Sequence, residues 1–232
     1  MLNRVWMAVS ALLLGGLPAS AYTIQVTSVD TTRGGNVNFR VDGANYTGYA
    51  GVILGRFDGG TETLSFLCID LFTDISYGTY GAIPAAPDPG AEQRVAWLYV
   101  NQLSSVNSVA LGQGFQLAIW DIIHDGGDGP DSGRIRRRPT TTGGTPTTVV
   151  TAWTNYLNVS VGMSSMLASV YQNFNLSNNL PAQNFIGPYQ GTGGLVPEPD
   201  SWLTMATASG ALLFGLFRRR SRQDPPPPAA SS

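Results

Sequence analysis

Apolar and polar residues alternate in short runs over the first third of the chain. Between residues 23 and 71 the runs read TIQVTSV, NVNFRV, YAGVILGRF and ETLSFLCIDL. Alternation with a period of two is typical of strands that bury one face. Gly34-Gly35, Asp42-Gly43 and Asp58-Gly59-Gly60 lie between the runs, where hairpin turns need such residues. The pattern predicts three or four antiparallel strands in a meander, with Cys68 at the end of the last strand.

The apolar period becomes helical after a Pro-rich loop at residues 83–90. The spacing predicts two amphipathic helices, at about 91–104 and 107–124, and Asn107 or Ser108 is the expected N-cap of the second. A loop rich in Gly, Asp, Arg and Thr follows at residues 125–148.

A third helix is predicted at about 149–173, and NFIGPY, residues 184–189, predicts a short closing strand. The exported region, residues 22–190, is long enough for one domain with a sizeable core. The expected fold class is therefore α+β, with an antiparallel β-meander or sandwich and about three helices.

Both ends of the chain carry hydrophobic segments of another kind. Residues 1–21 contain one early cation, Arg4, then an apolar run and the small residues Ala19-Ser20-Ala21, which is typical of a cleavable signal peptide. Near the other end, residues 202–217 form a run without charge. As a helix it would span about 24 Å, somewhat less than the ~30 Å hydrocarbon core of a bilayer. We expect a single transmembrane helix there, with residues 22–198 exported because the flanking arginines stay inside.

The segment around this predicted helix has three parts in a fixed order. A Gly-rich linker and the Pro-Glu-Pro motif occupy residues 191–201, and a basic, Pro-rich cytoplasmic tail follows the helix at residues 218–232. The motif residues are Val196, Pro197, Glu198 and Pro199, and the arginine cluster includes Arg218, Arg219 and Arg220. This tail resembles the PEP-CTERM sorting signal of Gram-negative bacteria that secrete exopolysaccharide. The resemblance implies processing by a membrane-embedded exosortase, transient residence in the inner membrane, and delivery to the outer envelope, cell surface or extracellular matrix.

Composition and charge limit the functions that we expect of the exported region. Between residues 22 and 198 the chain has thirteen acidic residues and eight arginines, a net charge near −5, which does not indicate nucleic-acid binding. The chain has no lysine, as expected either for a protein with an amine-reactive group or for a GC-rich genome. Its single cysteine, Cys68, cannot form an internal disulfide. No cofactor motif is present, so none is expected.

A cysteine and a glutamine stand in similar apolar surroundings. Cys68 lies in the run FLCID, and Gln116 follows 48 residues later in FQLAIW. These two segments, in strand-then-helix order over residues 62–124, resemble the Cys–Gln thioester domains of bacterial surface adhesins. The resemblance implies that Cys68 and Gln116 form a thioester, which an amine on a surface partner would attack. Such a bond needs an apolar cage against water, for which Phe66, Phe115 and Trp120 are the candidates.

Plainer interpretations of these residues stay open. Cys68 is also expected as a small buried hydrophobe, and the glutamine helix as a core helix. The chain would then be a non-reactive structural protein of the exopolysaccharide or biofilm matrix. A secreted cysteine hydrolase is the remote alternative: it would pair Cys68 with His124, oriented by Asp70, Asp121 or Asp125. We do not expect an enzyme.

The loop at residues 125–148 carries charges of both signs. Asp125, Asp128 and Asp131 are weak metal candidates, since their spacing by threes does not match an EF-hand. The arginines at 134 and 136–138 are expected to bind acidic polysaccharide, to pair with these aspartates or to lie in a flexible, solvated insertion. The sequence thus predicts an exported envelope protein, a covalent adhesin if the thioester forms, whose partners are an exosortase and an amine-bearing ligand or exopolysaccharide.

Overall fold

A computed structural model of the chain describes residues 22–73, 76–139 and 143–190. These residues belong to one compact unit, and a second unit, Leu195–Ser232, lies outside the described residues. The predicted signal peptide, the sorting motif and the predicted helix at 202–217 therefore also lie outside them. Within the described part, no helix combines the length and the apolar character that a membrane crossing requires.

The described residues form an α+β fold with seven antiparallel strands and three α-helices. The strands are β1 (Tyr22–Val41), β2 (Ala44–Phe57), β3 (Leu64–Cys68), β4 (Gly78–Ala85), β5 (Ile135–Arg137), β6 (Ala168–Asn175) and β7 (Phe185–Pro188). The helices are α1 (Ala91–Gln102), which continues as a 3₁₀ turn at Leu103–Ser105, α2 (Val109–Asp125) and α3 (Thr147–Val159). This confirms the predicted class, the three helices and the closing strand.

The sheet closes on itself through pairings that are distant in sequence. Its order is β2-β3-β7-β6-β4-β1, and β1 also pairs with β2, which completes a ring of six strands. Strand β5 pairs with the far half of β1. Strands β1, β2 and β3 are consecutive neighbours as a meander requires, but the late strands β6 and β7 lie between β3 and β4.

The predicted turn at Gly34-Gly35 is wrong, because β1 runs through it as one strand of 20 residues. The pairing of β1 with β2 is instead irregular between Val29 and Gly34. A Cβ atom at Gly34 would lie 2.8 Å from the Cα atom of Gly51, so these glycines permit a close approach of two strands. The other two predicted turns are confirmed, with Asp42 and Asp58 at positive φ.

The predicted third helix is wrong beyond its first half. Helix α3 ends at Val159, Gly162 adopts a positive φ of 71°, and the chain returns as strand β6. The apolar residues of 168–171 are all buried, which a strand covered on both faces achieves as readily as a helix. Strand β4 reaches into the predicted Pro-rich loop and β5 into the predicted polar loop, so both segments are partly strand.

Helix α2 is the central element of the core. Its residues from Gly112 to Ile122 are all buried, because α2 packs on β1 and β2 on one side and on α3 on the other. Ser108 accepts a hydrogen bond from the N–H of Leu111 and is the N-cap, one of the two residues predicted. A second part of the core is an aromatic cluster from four strands, formed by Phe57, Phe66, Tyr171 and Phe185.

Candidate functional site

Cys68 ends strand β3 and lies beside the last strand of the chain. It is buried and pairs in register with Phe185 of β7. Burial raises the pKa of the Cys68 thiol well above its ordinary value, and the nearby Asp70 charge raises it further. The thiol is therefore protonated at neutral pH and shielded from most of the solvent.

The structure brings Gln116 into contact with Cys68. Its Nε2 donates a hydrogen bond to the backbone carbonyl oxygen of Cys68 at 2.7 Å, across 48 residues of sequence. Gln116 is almost fully buried, with 1% of its surface exposed, and its Oε1 atom has no hydrogen-bond partner among the described residues. A buried amide oxygen without a partner costs about 1–3 kcal/mol, so the fold holds this side chain in an unfavourable state.

Two glycines of α2 allow this contact, and sequence reasoning missed their role. A Cβ atom at Gly112 would overlap with the carbonyl oxygen of Arg33 in β1. A Cβ atom at Gly114 would lie 2.5 Å from the Cβ of Ala152 in α3. Helix α2 therefore packs closely between the sheet and α3. Gln116 lies two residues after Gly114, about half a helical turn further along. The Gly-x-Gly pattern before the glutamine is the signal that would have found this packing.

A cleft of about 330 Å³ opens beside Cys68. Its lining includes Cys68, Asp70 and Trp120 together with Tyr46 and Phe72. Tyr46 is 43% exposed and Phe72 is 60% exposed, so aromatic side chains flank the cleft at the protein surface. The buried thiol therefore lies next to a solvent-connected groove rather than in a sealed core.

Trp120 is the one predicted cage residue that lines this cleft. Its ring stacks on Phe39 of β1 with centroids 5.6 Å apart, and its Nε1 atom is buried without a hydrogen-bond partner in the described part of the chain. Phe66 packs with the strand aromatics, 6.0 Å from the ring of Phe185, which is the register partner of Cys68. Phe115 contacts Tyr156 of α3 edge to face at 4.7 Å, on the helix side of the core.

The segment after Cys68 is fixed by β7 and by α2. The N–H of Ile69 donates to Asn184, and the N–H of Asn184 donates in turn to Asp70 Oδ2 at 2.8 Å. The Nε2 atom of His124 lies 2.9 Å from the carbonyl oxygen of Ile69, which can only accept, so this nitrogen carries a proton and donates it to the carbonyl. In the described contacts His124 thus meets backbone and the ring of Phe72, and none joins it to the Cys68 thiol.

The acidic residues of the loop separate into two groups. Carboxylate oxygens of Asp121, Asp125 and Asp128 lie within 4.8 Å of one another. Asp131, the third predicted candidate, instead forms an ion pair with Arg137 at 2.5 Å. The sequence missed Asp121 as a member because it lies inside α2, one helical turn before Asp125.

The basic run is largely paired within the fold. Arg134 forms two hydrogen bonds with Asp42, and Arg136 donates to the carbonyl oxygen of Gly133. A pocket of about 400 Å³ is lined by Arg40 and by the arginines at 136–138. The predicted pairing with the aspartates of the loop is confirmed for Arg137, which pairs with Asp131, whereas the side chain of Arg134 pairs with Asp42 of the β1–β2 turn.

Comparisons with known proteins return no relative of this chain. No family model matches it, and neither the curated proteins nor the solved structures contain a match. The function is therefore argued from the geometry of the site.

Proposed function

We propose that the protein is an exported surface protein that attaches covalently to its partner through a Cys68–Gln116 thioester. The observation that carries this proposal is the contact between the Gln116 side chain and Cys68 inside the core, where the glutamine oxygen has no partner. A purely structural glutamine in such a place would be expected to satisfy both ends of its amide.

The thioester would form from Cys68 and Gln116 alone, without another reactant. The Cys68 sulfur attacks the side-chain carbonyl carbon of Gln116, the Gln116 nitrogen leaves as ammonia, and the thiol proton goes to that ammonia. The leaving nitrogen is Nε2, whose present hydrogen bond is to the Cys68 carbonyl at 2.7 Å. Two groups held on a rigid strand end and a rigid helix lose little freedom in this step, which favours the reaction.

Burial supports the survival of such a bond. Cys68 is 9% exposed and Gln116 1% exposed, so water has little access to the acyl carbon. The raised pKa of the thiol means that no reactive thiolate is exposed before the bond forms.

The cleft supplies a path for a nucleophile. An amine entering between Tyr46 and Phe72 would reach Cys68 along the groove wall formed by Trp120 and Asp70. Attack on the acyl carbon would join the amine to Gln116 as an amide and release the Cys68 thiol. The carboxylate of Asp70 favours the approach of a lysine side chain, which releases one proton to solvent and attacks as the neutral amine. The chain has no lysine of its own that would consume the bond.

Delivery to the surface is the second half of the proposal, and it rests on sequence. The Pro-Glu-Pro motif at residues 197–199, the apolar run at 202–217 and the arginine cluster support sorting by an exosortase. Export would place Cys68 and Gln116 where partner amines and exopolysaccharide are found.

Intact mass of the purified protein tests the thioester. We expect a mass one ammonia below that of the processed sequence, and the full mass in Cys68→Ala and Gln116→Ala. Gln113→Ala is the matched control, because Gln113 is a buried glutamine of the same helix that bonds Asn36 instead of Cys68. Methylamine should add to wild type and to this control only. A full wild-type mass with an alkylatable thiol would instead support a non-reactive component of the matrix.

A further inference from the structure

A cluster of acidic side chains lies at the C-terminal end of α2, beyond Gln116. Asp121 and Asp125 are four residues apart on the helix, and therefore lie on one face of it. Gly126, Gly127 and Gly129 have positive φ values and fold the following loop back, which brings Asp128 to the same place. One carboxylate oxygen from each aspartate lies within 4.8 Å of the others.

No arginine of the described residues forms an ion pair with this cluster. The ion pairs of the described part join Arg33 to Asp30, Arg134 to Asp42 and Arg137 to Asp131. Arg94, Arg134 and Arg136 act on the three aspartates only from beyond ion-pair distance. The three carboxylates therefore lie together without a cation in direct contact.

Asp121 gives an independent indication of a ligand. It is fully buried, and its Oδ2 atom accepts a hydrogen bond from Trp153 Nε1 at 2.8 Å. Its Oδ1 atom is also buried and makes no hydrogen bond with the described residues, although the nearby backbone N–H of Gly129 lowers the pKa of Asp121. A buried carboxylate oxygen without a partner is costly, and a metal ion at the cluster would satisfy it.

We propose that Asp121, Asp125 and Asp128 bind a calcium ion. The donor set consists of oxygen only, which selects hard cations over zinc or copper. The three oxygens lie within 4.8 Å of one another, so one calcium ion with bonds of about 2.3–2.6 Å can reach all of them. Calcium also accepts the irregular geometry of a set drawn from a helix and a loop, whereas magnesium demands a near-ideal octahedron.

The loop leaves room for the remaining ligands of the ion. Asp125 is held in place because its Oδ2 atom accepts the backbone N–H groups of Arg134 and Ile135. Asp128 is exposed, so water completes the coordination from its side.

Calcium titration of the full-length protein after chelator treatment tests the site. We expect one calcium per chain with a dissociation constant of about 10⁻⁴–10⁻³ M, as in extracellular modules, and weaker binding of magnesium. Terbium should bind at the same place and be sensitised by Trp153, whose indole N–H contacts Asp121.

Asp128→Asn is the diagnostic variant, because Asp128 is exposed and its replacement leaves the core intact. We expect it to weaken calcium binding at least tenfold and to reduce terbium luminescence. Asp131→Asn is the matched control, an exposed aspartate of the same loop that pairs with Arg137, and it should bind as wild type does. Absence of calcium binding, equal affinity in Asp128→Asn, or an equal loss in Asp131→Asn would each overturn the proposal.

Discussion

Two residues on one helix, Gln116 and Asp121, share an unusual state at the atomic level. Each is buried, each makes one hydrogen bond, and each leaves one oxygen without a partner. Most buried polar atoms in proteins are paired, so an unpaired oxygen calls for an explanation. The buried amide oxygen of Asn173 is also unpaired, and what distinguishes Gln116 and Asp121 is the reactive or charged groups beside them. The two residues have different neighbours, since Gln116 lies beside a thiol and Asp121 beside two other carboxylates. We therefore propose a thioester for Gln116 and a metal ion for Asp121.

The reactivity of Cys68 can be predicted from its burial. In Gln116→Ala, where no thioester forms, the raised pKa keeps the thiol protonated, so alkylation by iodoacetamide should be slow at pH 7 and still rising at pH 9. The same protein in urea should react as fast as a free cysteine, with a rate that levels off above its ordinary pKa of about 8.5. Fast labelling of the folded variant at pH 7 would contradict the described burial.

Close packing of elements decides where Gln116 lies. Helix α2 approaches β1 through Gly112 and α3 through Gly114, and both contacts are with groups that cannot easily move. Glycines inside a helix cost about 1 kcal/mol each relative to alanine, so the gain here comes from the close approach. Because both residues belong to α2, the same packing places Gln116 beside Cys68 and Asp121 beside the loop that follows the helix.

Gly112→Ala tests this packing. The added methyl meets backbone of β1, so we expect a loss of about 1–3 kcal/mol in the free energy of unfolding in urea, despite the better helix propensity of alanine. Ammonia loss at Gln116 should also decrease, because the helix must shift. Gly48→Ala is the control, since a Cβ there meets no atom within 4 Å, and its stability should stay within about 0.5 kcal/mol of wild type. Equal stabilities of the two variants would exclude a tight contact at Gly112.

At the scale of the whole described fold, segments from early and late in the sequence meet around Cys68. Strand β7 closes the ring of strands next to β3, and Asn184 bonds both Ile69 and Asp70. The site is therefore complete only after nearly all of the described chain has folded. This order would suit the proposed function, in which the chain is exported before the thioester forms.

Processing of the ends can be checked on protein isolated from its native host. We expect the mature form to begin at Tyr22 and to lack residues 202–217, because the tail resembles a sorting signal that is cleaved near Pro-Glu-Pro. Peptide mass mapping measures both ends. Replacement of Arg218, Arg219 and Arg220 by Ser should leave uncut protein in the membrane fraction. Mature protein that retains residues 202–217 would contradict cleavage of the tail.

The sequence by itself determined the class of the fold and the identity of the candidate reactive pair. Alternation predicted β2 and β3, helical spacing predicted α1 and α2, and the turns at Asp42 and Asp58 followed from residue type. These features are local, since burial of one face sets the period of apolar residues. Cys68 and Gln116 were likewise distinguished by their residue types and by the apolar residues beside them in the chain.

Only the tertiary structure decided which distant groups meet. The helical period predicted at 160–173 gave way to strand β6, because pairing with β4 and β7 places that segment inside the sheet, where it is largely buried. Gly34-Gly35 was predicted as a turn but permits a close approach of two strands. Asp121, and not Asp131, lies beside Asp125 and Asp128. Such contacts join residues that are tens of positions apart, and they depend on how helices and strands pack together. The local period of apolar residues carries no information about them.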